Sequence, residues 1–229
     1  MRGLVQVRCN PPIKIFIKGA IMKLGEIKIE ALKLMFADYA RDMSVENLSN
    51  LKEDENYATI INSMPGAINR CFGRFEDSKV VPLKVIALEK SEGASGYGRI
   101  RFDLSQIPDF LFIDRIVYED EKTYEGNCEY IMETNYVIVL PERAGSYTLV
   151  YVPSIDRVTS GTAEDTEIAL PKRLCEIMPL FIKGDLYQED EPSIAAESRN
   201  LFEASLESFN QENTTRQTRI ANTYNQAEE

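Results

Sequence analysis

The chain has 229 residues, with 26 Lys and Arg against 37 Asp and Glu, a net charge of −11, and neither His nor Trp. The absence of His excludes the Ser-His-Asp triad, the Cys-His dyad and His-liganded zinc. The acidic balance argues against non-specific clamping of nucleic-acid phosphates, which requires a concentrated positive face.

The composition is that of an ordinary globular protein, with 44% hydrophobic and 28% charged residues. No apolar run approaches the roughly 20 residues of a membrane span, so the sequence indicates no membrane segment. The cysteines are too few and too widely spaced for a disulfide scaffold. We therefore expect reduced thiols at Cys9, Cys71, Cys128 and Cys175.

The first 21 residues differ in charge from the rest. Residues 1–21 contain four basic residues and no acidic one, whereas the remaining chain contains 22 basic and 37 acidic residues. Lys18-Gly19-Ala20 can be encoded by AAA-GGA-GCN, a purine-rich ribosome-binding sequence just before the codon of Met22. We therefore expect Met22 to be the native start and residues 1–21 to be a non-native leader. The alternative is a genuine, loosely attached N-terminal arm.

Helical spacing of apolar residues predicts three helices in the first part of the chain. The first covers residues 26–40, the second is short and has Ser44 as its N-cap, and the third covers residues 55–75. We expect the third helix to kink or break at Met64, before Pro65. The apolar stripe of the first helix consists of Ile27, Ala31, Leu34 and Met35.

From about Val80 to Pro153 the apolar period changes to two, which predicts strands. Gly, Pro and acidic turn residues separate six short runs rich in Val, Ile, Tyr and Phe. The pattern predicts a small antiparallel sheet, in one or two layers. Residues 91–98 (SEGASGYG) and 141–145 (PERAG) are then expected to be hairpin loops, because a phosphate-binding loop would lead into a helix and not into a strand.

A second helical block follows the strands. Pro171 favours the first turn of a helix that Pro179 is expected to kink, and Pro192 starts the last helix. Residues 210–229 are polar apart from Ile220 and Tyr224, so we expect them to be flexible. The apolar stripes are Leu174, Ile177, Met178, Phe181 and Ile182 in the first helix, and Phe202, Leu206 and Phe209 in the last.

The predicted fold class is α+β, a helical body of about four to five helices with an inserted small antiparallel β domain. Residues 22–76 and 170–209 form the body, and residues 77–169 form the insertion. Residues 210–229 are a flexible C-terminal extension.

No pattern indicates catalysis, a cofactor or a metal. Ser49 and Lys52 have the S-x-x-K spacing of a Ser-Lys pair but lack its companion motifs. The acidic residues at 185–191 lack the ligand order of a calcium loop. Cys71 and Cys175 lie on apolar stripes, which favours core positions over nucleophiles. We therefore expect a protein that is not an enzyme.

Three stretches, read with the order helices, strands, helices, carry a family resemblance: residues 26–39 (EIKIEALKLMFADY), 54–77 (DENYATIINSMPGAINRCFGRFED) and 170–209, which begin LPKRLCEIMPLF. Over residues 22–209 the chain resembles the head-to-tail adaptor (connector) proteins of tailed bacteriophages, of the tail tubular protein A type. The resemblance lies in an arrangement of helices and hydrophobic positions, because the family has no catalytic motif.

This resemblance implies a structural virion protein at the head-to-tail interface, assembled in the host bacterial cytoplasm. It implies a homo-oligomeric ring, dodecameric by the family pattern, which binds the portal protein and extends the DNA channel toward a downstream tail or neck protein. DNA passes through such a ring without specific binding during viral genome ejection. The C-terminal extension is the implied portal contact, with Arg216, Arg219, Ile220 and Tyr224 as candidate residues.

Other functions remain open in the sequence. The long β insertion also suits a stopper, a tail-tube or a neck-fibre attachment role. A carbohydrate-binding or host-attachment module is the alternative from another class, and ordinary strand packing of the same tyrosines is the simpler interpretation. The tyrosines in question are Tyr118, Tyr124, Tyr130, Tyr136, Tyr147 and Tyr151.

Overall fold

The computed structural model describes residues 22–36, 43–89, 95–96 and 98–225, and the chain divides into two compact units. The fold is α+β. The helical unit contains the described residues up to Val80 and those from Asp156 onward, and the β unit is Val81–Ile155. The predicted leader (residues 1–21, with Cys9) and the predicted helical residues 37–40 lie outside the described residues.

In the described residues, the helical unit contains five helices and a two-stranded sheet, and the β unit contains eight strands. In chain order the elements are β1 Met22–Lys23, α1 Leu24–Met35, α2 Leu48–Glu53, α3 Glu55–Asp77, β2 Lys84–Leu88, β3 Ser95–Gly96, β4 Arg99–Asp103, β5 Phe110–Glu119, β6 Tyr124–Glu125, β7 Ile131–Met132, β8 Val137–Pro141, β9 Ser146–Pro153, β10 Glu167–Ile168, α4 Lys172–Leu186 and α5 Pro192–Asn225.

The core of the helical unit lies where α4 packs against α1, α3 and α5. The ring of Phe202 from α5 lies 5.8 Å from Phe75 of α3 and 5.1 Å from Phe181 of α4, measured between centroids. Burial of side chains of this size stabilises the unit by roughly 2 kcal/mol each. Completely buried side chains in this core include Leu24, Ile27, Ala31, Leu32, Ile68, Phe72, Leu174, Met178 and Ile182.

Two details of the first helices differ from the sequence prediction. Leu34 is 41% exposed, because the buried face of α1 runs through Leu24, Ile27 and Ala31 and leaves Leu34 at its border. The N-cap position of α2 is Asn47 and not Ser44, and the carbonyl of Ser44 instead accepts the backbone N–H of Asn47 in the preceding turn.

The two internal prolines do not end their helices. Helix α3 runs from Glu55 to Asp77 through Pro65, so the predicted break at Met64 is absent, and α4 likewise continues through Pro179. Both prolines are buried, and the apolar turns on either side pack into the core. This packing compensates for the backbone hydrogen bond that each proline removes.

The β unit is a sandwich of two four-stranded antiparallel sheets. The strand orders are β2-β9-β5-β6 and β3-β4-β8-β7, and apolar residues of both sheets form one core. Tyr147 of β9 packs its ring 6.4 Å from Phe102 of β4, and its hydroxyl donates to the Pro141 carbonyl of β8 at 2.6 Å. These contacts hold the two sheets together.

Residues 141–145 connect the two sheets, so the predicted hairpin loop is wrong here. β8 pairs with β4 and β7, whereas β9 pairs with β2 and β5. The connection passes so close to the end of β5 that a Cβ on Gly145 would lie 2.2 Å from the carbonyl oxygen of Glu119. Of the other predicted loop, residues 91–98, the structure describes Ser95, Gly96 and Gly98. Here β3 pairs with β4 in an antiparallel register. Gly98 has a φ of 70°, which favours glycine.

Residues 156–169 belong to the helical unit, although the sequence analysis places them in the β insertion. We call them the return segment. The amide side chain of Asn69 on α3 accepts the N–H of Val158 at 2.9 Å and donates to its carbonyl at 2.8 Å. β10 then pairs with β1 in an antiparallel register. The return segment therefore docks on the helices and is not a simple linker.

A cluster of three charged side chains, of which Lys28 is buried, fixes the middle of the return segment. Glu164 Oε1 accepts hydrogen bonds from Lys28 Nζ of α1 at 2.9 Å and from Lys52 Nζ of α2 at 2.6 Å. The side chain of Lys28 is only 2% exposed. Burial raises the pKa of Glu164, but hydrogen bonds from the two lysines and their charges outweigh it, so the pKa lies below its ordinary value.

Replacing Glu164 with Gln is expected to destabilise the protein by about 3 kcal/mol, because it leaves the Lys28 charge buried without a counter-ion. The pKa of Glu164 is lowered in the folded state. Its contribution to the free energy of unfolding is therefore present above the pKa of the unfolded chain, and is lost as the pH falls through the pKa of the folded state. Urea unfolding between pH 3 and pH 7 checks both effects.

The matched control is Asp165→Asn, an exposed carboxyl in the same segment, which should change the unfolding free energy by less than about 0.5 kcal/mol. Adding Lys28→Met to Glu164→Gln should restore much of the loss, because it removes the unpaired charge. Equal stability of Glu164→Gln and the native chain would contradict this account.

Gly145→Ala is expected to destabilise the β unit by more than about 2 kcal/mol, because the new methyl group overlaps the Glu119 carbonyl. Gly126→Ala is the control, since its Cβ would have its nearest neighbour at 3.5 Å, an ordinary contact. Thermal unfolding of both variants by circular dichroism tests the difference. Similar midpoints for the two variants would mean that the β5 end yields to the methyl group.

Candidate partner-binding surface

Helix α5 contains all four residues that the sequence analysis selected for partner binding. It has 34 residues, which corresponds to about 50 Å. The backbone stays helical through Asn225, so the predicted flexible extension continues the helix over most of its length. With 3.6 residues per turn, positions Arg216, Arg219, Ile220 and Tyr224 fall within an arc of about 140° on the helix. The structure thus places these four positions on one side of α5.

The first part of α5 packs closely against α4. Ala195, Phe202 and Leu206 are buried on this side. A Cβ on Gly184 of α4 would lie 2.8 Å from Arg199 Cγ and 3.0 Å from the Ala195 carbonyl oxygen, so glycine permits the close crossing. This contact sets the direction in which the rest of α5 extends.

Arg173 lies near the start of α4. Among the described side chains, its contact with Glu212 is the contact with α5 that lies nearest to the C-terminus. Its guanidinium forms a two-pronged ion pair with Glu212, with Nη2 to Oε1 at 3.2 Å, and lies over the ring of Phe209 at 5.9 Å. The hydrogen bond from Glu212 raises the pKa of Arg173. Helix α5 continues for a further 13 residues beyond Glu212, about 20 Å.

The charged residues of α5 differ before and after Glu212. Residues 192–212 contain four glutamates and one arginine, whereas residues 213–225 contain two arginines and no acidic residue. On a chain with a net charge of −11, the second part of α5 is therefore a positively charged stretch. Positive charge near a helix C-terminus is also favoured by the helix dipole.

A shallow groove of about 380 Å³ lies between α4 and α5 beside the Arg173–Glu212 pair. Small side chains on α5 leave this space open, and Leu201 at its border is 51% exposed. The groove combines apolar carbon with one basic and one acidic side chain, Arg173 and Glu176. Its lining residues are Arg173, Glu176, Ile177, Leu201, Ala204, Ser205, Ser208 and Phe209.

The tyrosines of the alternative carbohydrate-binding hypothesis do not form a single surface. Tyr147 and Tyr151 are completely or almost completely buried, and Tyr118 is 3% exposed. Burial raises the pKa of Tyr147 to about 12. Only Tyr124, Tyr130 and Tyr136 are exposed. Strand packing therefore explains half of the predicted set.

The weaker chemical candidates of the sequence have structural contacts. Lys52 of the S-x-x-K pair binds Glu164 and not Ser49. Asp185 accepts hydrogen bonds from the Arg70 guanidinium at 2.5 to 3.1 Å. Cys71 and Cys175 are buried, as is Cys128, and burial raises the pKa of Cys175 to about 12. Ion pairing or burial in the core therefore accounts for Lys52, Asp185 and the three cysteines.

Within the described ranges, no group of three or more Cys, Asp and Glu side chains is arranged to hold a metal ion. None of the helices that the structure describes is long and apolar enough to span a membrane. No protein-family model matches the sequence, and no curated protein matches it either.

Sequence reasoning missed two exposed surfaces, the α4–α5 groove and the edge strand β7. Ile131, Met132 and Leu201 lie in runs whose spacing equally suits a core position. The neighbouring small residues Ala204, Ser205 and Ser208 were the available signal for the groove, because small side chains on an otherwise apolar stripe leave space.

Leu201→Ala and Phe202→Ala are expected to differ sharply, although the residues are adjacent. Phe202 is 1% exposed and contacts two aromatic rings, so its truncation should cost about 3 kcal/mol or more. Leu201→Ala should cost less than about 1 kcal/mol. Urea unfolding followed by circular dichroism measures both. A large loss for Leu201→Ala would assign this side chain to the core and not to the groove.

Proposed function

We propose that this protein is a structural, non-enzymatic head-to-tail adaptor of a tailed bacteriophage virion. The observation that carries the proposal is the helical unit, which is assembled from two separated parts of the chain around an inserted β sandwich and continues into the long helix α5. This is the order of elements on which the family resemblance rests.

The second part of α5 is the proposed portal contact. It extends about 20 Å past the Arg173–Glu212 pair and carries positive charge, unlike the preceding part of the helix. Its four candidate positions share one side, so a groove or pocket on the portal could bind them together as a helix-in-groove contact. The neighbouring α4–α5 groove would enlarge that interface.

The overall charge suits a channel through which DNA moves. Firm binding of DNA depends on cations that replace the counterions of its phosphates. A ring of copies with a charge of −11 each would repel DNA weakly and let it pass. The β unit would then contact the downstream tail or neck protein.

Ring formation on the portal tests the proposal directly. Native mass spectrometry and negative-stain imaging of the protein, alone and mixed with the portal protein of the same phage, should detect a closed ring only with the portal. A protein that ignores the portal under conditions where portal rings are intact would contradict the adaptor function.

Deleting residues 213–229 is expected to abolish portal binding and to leave the fold intact. The deletion keeps Glu212, and therefore the ion pair with Arg173. The thermal midpoint should change by no more than about 2 °C, since the segment adds little to the core. Portal affinity measured by biolayer interferometry should fall below detection, and native affinity in the truncated protein would refute the docking mechanism.

Two full-length variants test whether portal binding depends on one side of α5 or only on the length of the helix. The first variant has alanine at four positions on the proposed contact side, and the second has alanine at four positions on the opposite side. Only the first should weaken portal binding, and equal losses would mean that no one side of α5 is recognised. The sets are Arg216, Arg219, Ile220 and Tyr224, and Thr214, Thr218, Asn222 and Asn225.

A further inference from the structure

We draw no further inference here: the strongest candidate, the shallow groove between α4 and α5 beside the Arg173–Glu212 pair, already belongs to the proposed portal contact, and nothing in the described part of the chain shows what covers it.

Discussion

Glu164 holds the return segment against the first two helices of the helical unit. One carboxylate binds Lys28 of α1 and Lys52 of α2, so it holds the return segment against both helices. The buried charge of Lys28 is tolerated only while this partner is present. Glu164 Oε2 is itself buried without a hydrogen-bond partner among the described residues, so the cluster is not fully satisfied. Since β10 and α4 follow directly, the placement of α4, and with it of α5, depends on this contact.

The sequence predicted the α+β class and most helices and strands because their signals are local. Apolar spacing identified α1, α3 and α4, and a period of two identified β5, β8 and β9. The errors arose where distant contacts decide. Pro65 is held inside α3 by tertiary packing, where the sequence allowed a break. The polar return segment is fixed by Asn69, Lys28 and Lys52 from other parts of the chain. A local pattern contains no information about such partners.

The candidate surfaces were harder to predict than the fold, because exposure depends on which neighbour covers a residue. Tyr147 and Tyr136 occur in similar strand sequences, yet Tyr147 is completely buried and Tyr136 is half exposed. Met132 lies opposite the buried Ile138 but is itself exposed, since β7 is the last strand of its sheet. Strand order decides this difference, and strand order cannot be obtained from periodicity. The positions on α5 were selected by family resemblance, and the structure adds a helical backbone that gives them a common side.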